Sequence, residues 1–266
     1  MIKPAEFARR RKQLMRMADE DAILVLPAAP ERVRSHDTFF PYRQDSDFWY
    51  LSGFPEPEAV LVLVPGRKHG ECLLFCRERD AEREAWDGPR AGPEGAVDAF
   101  GFDDAYPIAD LDEILPGLLE GRSRVYYHFG RDTEFDLKLI GWVNRVRSQV
   151  RQGAQPPHEF LELGHLLHEL RLYKSAAELK LMRESARIAC EAQRVGLGIG
   201  GQIGDDEIML ALGRIDLHLS GHLRAPWEDR HSGDFRARLD SIGKKRSGGG
   251  GKQQSKTDRT HRDLRK

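Results

Sequence analysis

The sequence has 266 residues, with 42 Lys+Arg against 43 Asp+Glu and a net charge of −1. That length holds one large domain or two ordinary ones with a real core. Hydrophobic residues at 39% and aromatics at 8% exclude wholesale disorder, and no apolar run reaches the roughly 18–20 residues of a membrane helix. The near-zero total hides an asymmetry. Residues 221–266 carry 13 Lys+Arg and 6 Asp+Glu, a net of +7, which leaves 29 against 37, or −8, for residues 1–220. The body is acidic and the end is basic.

The N-terminus carries Arg9, Arg10, Arg11 and Lys12 with no long apolar run behind them, so it reads as neither a secretory signal nor a transit peptide. It reads as a first helix with that basic run on its polar face and Phe7, Leu14 and Met15 turned inward. Residues 22–26 (AILVL) form a buried-strand pattern. A polar stretch through Arg32, Arg34 and Asp37 leads to FFPYRQDSDFWYLSGF at 39–54, the densest aromatic segment. Residues 58–66 and 71–78 are apolar runs around Pro65 and Gly66, the pattern of a strand pair joined by a hairpin turn. Residues 87–107 are rich in Gly, Pro and Asp and read mainly as loop.

Residues 108–119 have helical spacing, and residues 124–129 (RVYYHF) read as a strand. Residues 132–150 then place Leu137, Ile140, Trp142, Val143 and Val146 on a helix. Strands interleaved with helices predict an α/β domain. Residues 153–157 read as a linker and residues 165–172 as a helix. Ser175 and Glu178 form a capping box, in which each side chain reaches the other's backbone N–H. It opens a helix to about Val195 with Leu179, Met182, Ala186 and Cys190 along one face. From Gly196 onward lie 13 of the 26 glycines; only residues 208–219 keep a helical pattern. Residues 221–266 read as disordered, because they cannot bury enough apolar surface to offset their ordering entropy.

Few constellations carry chemistry. Three cysteines make no disulfide framework, which points to a reducing cytoplasm. Cys72 and Cys76 sit in an apolar strand pattern and read as core residues rather than metal ligands. Asp45 and Asp47 would share one side of a strand, a carboxylate pair open to a metal, but with Glu56, Glu58 and the neighbouring Gly53, Pro55 and Pro57 they read as turn and capping groups. Arg43 reads as an ion-pair partner for Asp45 and Asp47. His165 and His168 are spaced i, i+3, not the i, i+4 of a zinc-protease helix, and read as surface or interhelix histidines. His218 and His222 have that spacing without the following Glu. The GxGxxG at 196–201 follows a helix, whereas a dinucleotide site needs a strand before it. Nucleic-acid binding by the basic tail would be unspecific and salt-dependent, and a solvated tail is the plainer reading.

The segment at 39–66 is more informative as a whole. Tyr42-Arg43-Gln44-Asp45-Ser46-Asp47-Phe48-Trp49-Tyr50-Leu51-Ser52-Gly53-Phe54 followed by Glu56-Pro57-Glu58-Ala59 closely resembles the N-terminal domain of bacterial Xaa-Pro aminopeptidases, the aminopeptidase P family. The likeness extends through Arg79-Asp80, Glu84 to Gly88 and Pro107-Ile108 to His168-Glu169-Leu170-Arg171 and Lys174-Ser175, over about residues 4–196. It implies a creatinase-like α/β domain over residues 1–172 with a mixed sheet and flanking helices. Residues 173–196 would be the opening helix of a pita-bread catalytic domain, and residues 197–266 a divergent basic tail.

The family's enzyme removes an N-terminal residue preceding proline from peptides, using two divalent metals, typically manganese, held by two Asp, one His and two Glu in the pita-bread domain. None of those metal motifs follows Gly196, and the 70 remaining residues are too few for a fold filling most of a roughly 250-residue domain. The expectation is therefore a truncated or frame-shifted member, inactive alone, with no catalytic residue and no metal site in this chain; Asp205 and Asp206 are no substitutes. The competing expectation is a non-catalytic peptide- or protein-binding or oligomerisation module. The resemblance implies substrate contacts at Trp86 and Arg151 within a homo-oligomer, an aromatic ring against proline and a guanidinium on a peptide carboxylate. The alternative for Trp86 is core or interface packing. An opening helix without its domain would also expose Leu179, Met182 and Ile188 and lower solubility.

Overall fold

A computed structural model of the chain describes residues 2–196. Pro4 opens the first helix, α1 (Pro4–Met17), at a position where its missing N–H is not needed. Strand β1 (Ala22–Pro27) follows, then a small exposed hairpin of β2 (Val33–Ser35) and β3 (Thr38–Phe39). The aromatic segment folds as helix α2 (Ser46–Ser52) and leads into β4 (Val60–Leu63) and β5 (Cys72–Cys76). Next come α3 (Ala81–Asp87), α4 (Gly92–Phe100) and β6 (Asp104–Pro107). A 3-10 turn leads into α5 (Leu111–Leu119), followed by β7 (Arg124–Tyr127) and α6 (Thr133–Ser148). After a second 3-10 turn, Val150–Gln152, come β8 (Glu159–Glu162), α7 (Gly164–Leu172) and α8 (Ala176–Gly196).

Six strands form one mixed sheet in the order β6-β5-β4-β1-β7-β8. β4 runs antiparallel to both β1 and β5, and the remaining pairings are parallel. Helices cover both faces, so β1, β4 and β5 read as unbroken apolar runs rather than alternating ones. Leu24, Leu26, Leu61, Leu63, Leu74 and Tyr126 point to one face and pack with residues of α1, α2 and α7. Ile23, Val25, Val62, Phe75 and Val125 point to the other, under α5 and α6. This is a mixed α/β sheet with flanking helices, as the sequence predicts.

Several expectations need correcting. Residues 87–107 are not mainly loop: α4 and β6 lie there, because Ala96, Phe100 and Phe102 supply apolar anchors that a glycine-rich composition obscures. Residues 153–157 do not leave the domain, since β8 immediately rejoins the sheet beside β7. On α6 the inward face is Phe135, Leu139, Trp142, Val143 and Val146, whereas Leu137 and Ile140 are exposed.

The basic run on α1 is also split. Arg9 and Lys12 face solvent, but Arg10 and Arg11 are buried. Arg10 donates to Tyr50 O at 3.0 Å and Arg11 to Leu51 O at 3.0 Å and Gly101 O at 2.6 Å. These guanidiniums meet carbonyls at the C-terminal ends of α2 and, for Gly101, of α4, where helix geometry leaves them without partners and the macrodipole favours cations. The glycine motif beyond Gly196, Asp205, Asp206, residues 208–219, His218, His222 and the tail at 221–266 lie outside the described residues.

Candidate functional site

Asp45 does not share a strand side with Asp47. Its carboxylate caps α2, accepting from Asp47 N and Phe48 N at 2.9 Å each, which satisfies two otherwise unpaired donors. Gln44 holds the entry to this helix: its Oε1 accepts from Ala29 N and Asp45 N, and its Nε2 donates to Glu56 O at 2.9 Å. Glu56 in turn accepts from Ala91 N at 2.7 Å and lies 3.6 Å from Arg77. It ties the α3–α4 connection to the sheet, a longer-range role than a turn cap. Glu58 is exposed in a left-handed turn conformation.

Helical geometry sends Asp47 elsewhere, to the carboxyl ends of the parallel strands β7 and β8. There His128, just past β7, places Nδ1 2.6 Å from Glu162 Oε1 at the end of β8, and Nε2 3.4 Å from Asp47 Oδ2. The second contact is an ion-pair distance rather than a well-formed hydrogen bond. Arg131, from the loop into α6, reaches Asp47 Oδ2 at 3.2 Å, and Arg171, in the last turn of α7, grips Asp47 Oδ1. Asp47 is therefore paired with Arg131 and Arg171 instead of the expected Arg43. Glu162 also accepts from Gly164 N at 3.1 Å.

Burial opposes ionisation of Asp47, but the neighbouring His128 and the hydrogen-bonding Arg171 and Arg131 outweigh it and hold the carboxyl far below its ordinary value. Burial lowers the pKa of His128, while Asp47 and Glu162 raise it more strongly; the net shift is upward. Burial likewise opposes ionisation of Glu162, and bonding from His128 and Gly164 N prevails, so its pKa falls. The group is an ionic clasp joining α2, β7, β8 and α7. The Asp47 oxygens already face two guanidiniums, a poor environment for a metal cation, and the described residues contain no group of three His, Cys, Asp or Glu able to hold one.

The remaining sequence candidates are scattered. Trp86 stands on α3 with 89% of its surface exposed, so it is not a core residue of this chain. Arg151 is exposed in the 3-10 turn after α6. His165 and His168 are exposed on α7, with His165 Nδ1 against Glu162 O at 2.5 Å. Cys72 and Cys76 are free and buried in β5, where burial pushes both thiols up to about 12. The capping box forms as predicted, with Ser175 N donating to Glu178 Oε2 at 2.8 Å and Glu178 N to Ser175 Oγ at 3.2 Å. The clasp itself was not read from the sequence. Its available signal was His128 and Arg131 at the end of one apolar strand pattern, at residues 124–129. No described helix is long and apolar enough to cross a membrane.

A mixed sheet with one antiparallel strand near its centre and helices on both faces defines a creatinase-like α/β domain. Residues 7–127 match the family described as "Aminopeptidase P, N-terminal domain", and over that region the chain is similar to Xaa-Pro aminopeptidases. It is 36% identical over 192 residues to Xaa-Pro aminopeptidase of Escherichia coli K12, covering 72% of this chain and 44% of that protein. It is 32% identical to Xaa-Pro aminopeptidase 3 of Rattus norvegicus, covering 72% and 39%. The structure of Pseudomonas aeruginosa aminopeptidase PepP superposes with a TM-score of 0.76 at 52% identity, covering 80% of this chain and 50% of that one. The chain thus spans less than half the length of these curated relatives.

Proposed function

We propose that this chain is the amino-terminal part of an Xaa-Pro aminopeptidase and does not hydrolyse peptides by itself. The observation carrying this reading is the 36% identity to a protein of that name, which covers 72% of this chain but only 44% of the relative. Residues 1–172 act as the N-terminal domain and residues 173–196 as the first helix of the catalytic one. The manganese pair implied by the resemblance does not fit the described residues: His128, Asp47 and Glu162 bring imidazole and carboxylates together, but Arg131 and Arg171 already neutralise Asp47. No hydrolytic step is assigned to those residues. Trp86 and Arg151 are the substrate contacts in this reading, acting within an oligomer on proline-containing peptides in the cytoplasm.

The purified chain, supplied with manganese and an Ala-Pro-containing peptide, is expected to release no alanine above a metal-only control. Proline-dependent release at enzymatic rates overturns the inactivity. The second reading, a non-catalytic peptide- or protein-binding module, is favoured by the exposure of Trp86, Phe39 and Phe40. It predicts peptide binding that Trp86→Ala abolishes with no loss of stability, since truncating an exposed side chain changes stability by no more than about 0.5 kcal/mol.

A further inference from the structure

The helix α8 leaves the domain with little apolar anchorage: none of its side chains at positions 176–194 is fully buried. By contrast α7, immediately before it, is seated on the core through Leu166, Leu167 and Leu170. Only Tyr173, Lys174 and Ser175 separate the two helices. Packing therefore cannot be what fixes the direction of α8.

Polar contacts at its first turn can. Arg10 of α1, 4% exposed, places Nη2 3.3 Å from Glu178 Oε1 and 3.4 Å from Glu6 Oε1, while Nη1 donates to Tyr50 O. The same guanidinium lies over the Tyr50 ring, 4.1 Å from its centroid. The Tyr50 hydroxyl donates to Leu170 O on α7 at 3.2 Å, and the Arg171 guanidinium also lies over its ring. One carboxylate thus does two jobs: Glu178 Oε2 closes the capping box of α8 while Oε1 takes the buried Arg10.

We propose that Arg10 and Glu178 form a hinge pin, positioning residues that set the direction in which α8, and whatever chain follows it, leaves the domain. A buried guanidinium shared by two carboxylates and an aromatic face is costly to leave unpaired, and its planar fork constrains orientation more than a flexible ammonium does. The pin holds α8 through its own N-terminal cap, so helix formation and helix direction depend on the same side chain. The inference rests on these contacts alone and stands whether or not the peptidase reading holds.

The full chain supplies its own probe. Cys190 is exposed on α8, whereas Cys72 and Cys76 are buried. A nitroxide on Cys190 and a second on Glu113→Cys, at an exposed position of α5, report the helix direction by pulsed electron resonance. The expected result is one narrow distance distribution, lost in Glu178→Gln. Glutamine still closes a capping box, so circular dichroism is expected to show unchanged helix content while Arg10 keeps only Glu6, on its own helix, as a carboxylate partner. Arg10→Lys is expected to broaden the distribution likewise; should that variant fail to fold, Glu178→Gln decides. A parent distribution that is already broad, or a narrow one that survives Glu178→Gln, overturns the hinge pin.

Discussion

Replacing Asp47 with asparagine keeps the size of the side chain and removes the charge at the centre of the clasp. The side chain is 5% exposed, and it is gripped by Arg131 and Arg171, which are 49% and 40% exposed. A hydrogen bond to a charged group contributes about 1.5–3 kcal/mol, but solvent screening at these half-exposed guanidiniums reduces each to about 1 kcal/mol. His128, at 7% exposure, has no comparable access to water and loses one of its two carboxylates, costing about 1–2 kcal/mol. The expected loss is about 3–4 kcal/mol, the lower part of the range for breaking a buried ion pair. Urea unfolding at pH 7 measures it as a fall in midpoint at constant slope.

Acid provides the internal control for that variant. The folded-state pKa of Asp47 is depressed, so its contribution is fully present above the unfolded carboxylate value, about 3.9, and is lost as pH falls through the folded value. The gap between the parent and Asp47→Asn must therefore shrink on acidification. A loss below about 1 kcal/mol at pH 7, or a gap that does not narrow in acid, refutes the assignment of Asp47 as the centre of the clasp.

The neighbouring histidine titrates in the opposite sense. Its folded pKa is raised, so its stabilisation is complete below about pH 6.5 and is lost as pH rises through the folded value. His128→Gln is expected to cost most below that pH and progressively less above it, read by urea midpoints across the pH series. Two glycines separate backbone strain from crowding. At Gly53, φ is +63° and an added Cβ would lie 2.5 Å from the Phe7 ring, whereas at Gly66, φ is +73° with nothing within 4 Å. Gly53→Ala is expected to lose at least about 2 kcal/mol and Gly66→Ala about 1 kcal/mol, measured by the same unfolding experiment.

The central elements were readable from local patterns because their cause is local. β1, β4 and β5 are buried on both faces, so each appears as an apolar run, and the β4–β5 hairpin is punctuated by Pro65 and Gly66. The capping box at Ser175 was legible because both partners lie within one helical turn. Local patterning failed where an apolar anchor is sparse, as along α4, and where a strand is short and at the sheet edge, as in β8. The spacing of Asp45 and Asp47 misled for a related reason: it has one meaning on a strand and another on a helix. The cap at Asp45 makes it a helix.

Composition, apolar periodicity and turn residues by themselves determined the α/β class, the position of its central strands and the start of α8, since each follows from interactions within a few residues. Tertiary structure alone decided which charges matter. Arg9, Arg10, Arg11 and Lys12 are one basic run in sequence, yet Arg10 and Arg11 are buried against carbonyls 40 positions or more away. Asp47, His128, Arg131, Glu162 and Arg171 span 124 positions and meet only because parallel strands bring their carboxyl ends together beside α2 and α7. A charge in a sequence carries no mark of its partner; the fold supplies the partner, and with it the sign and size of the effect.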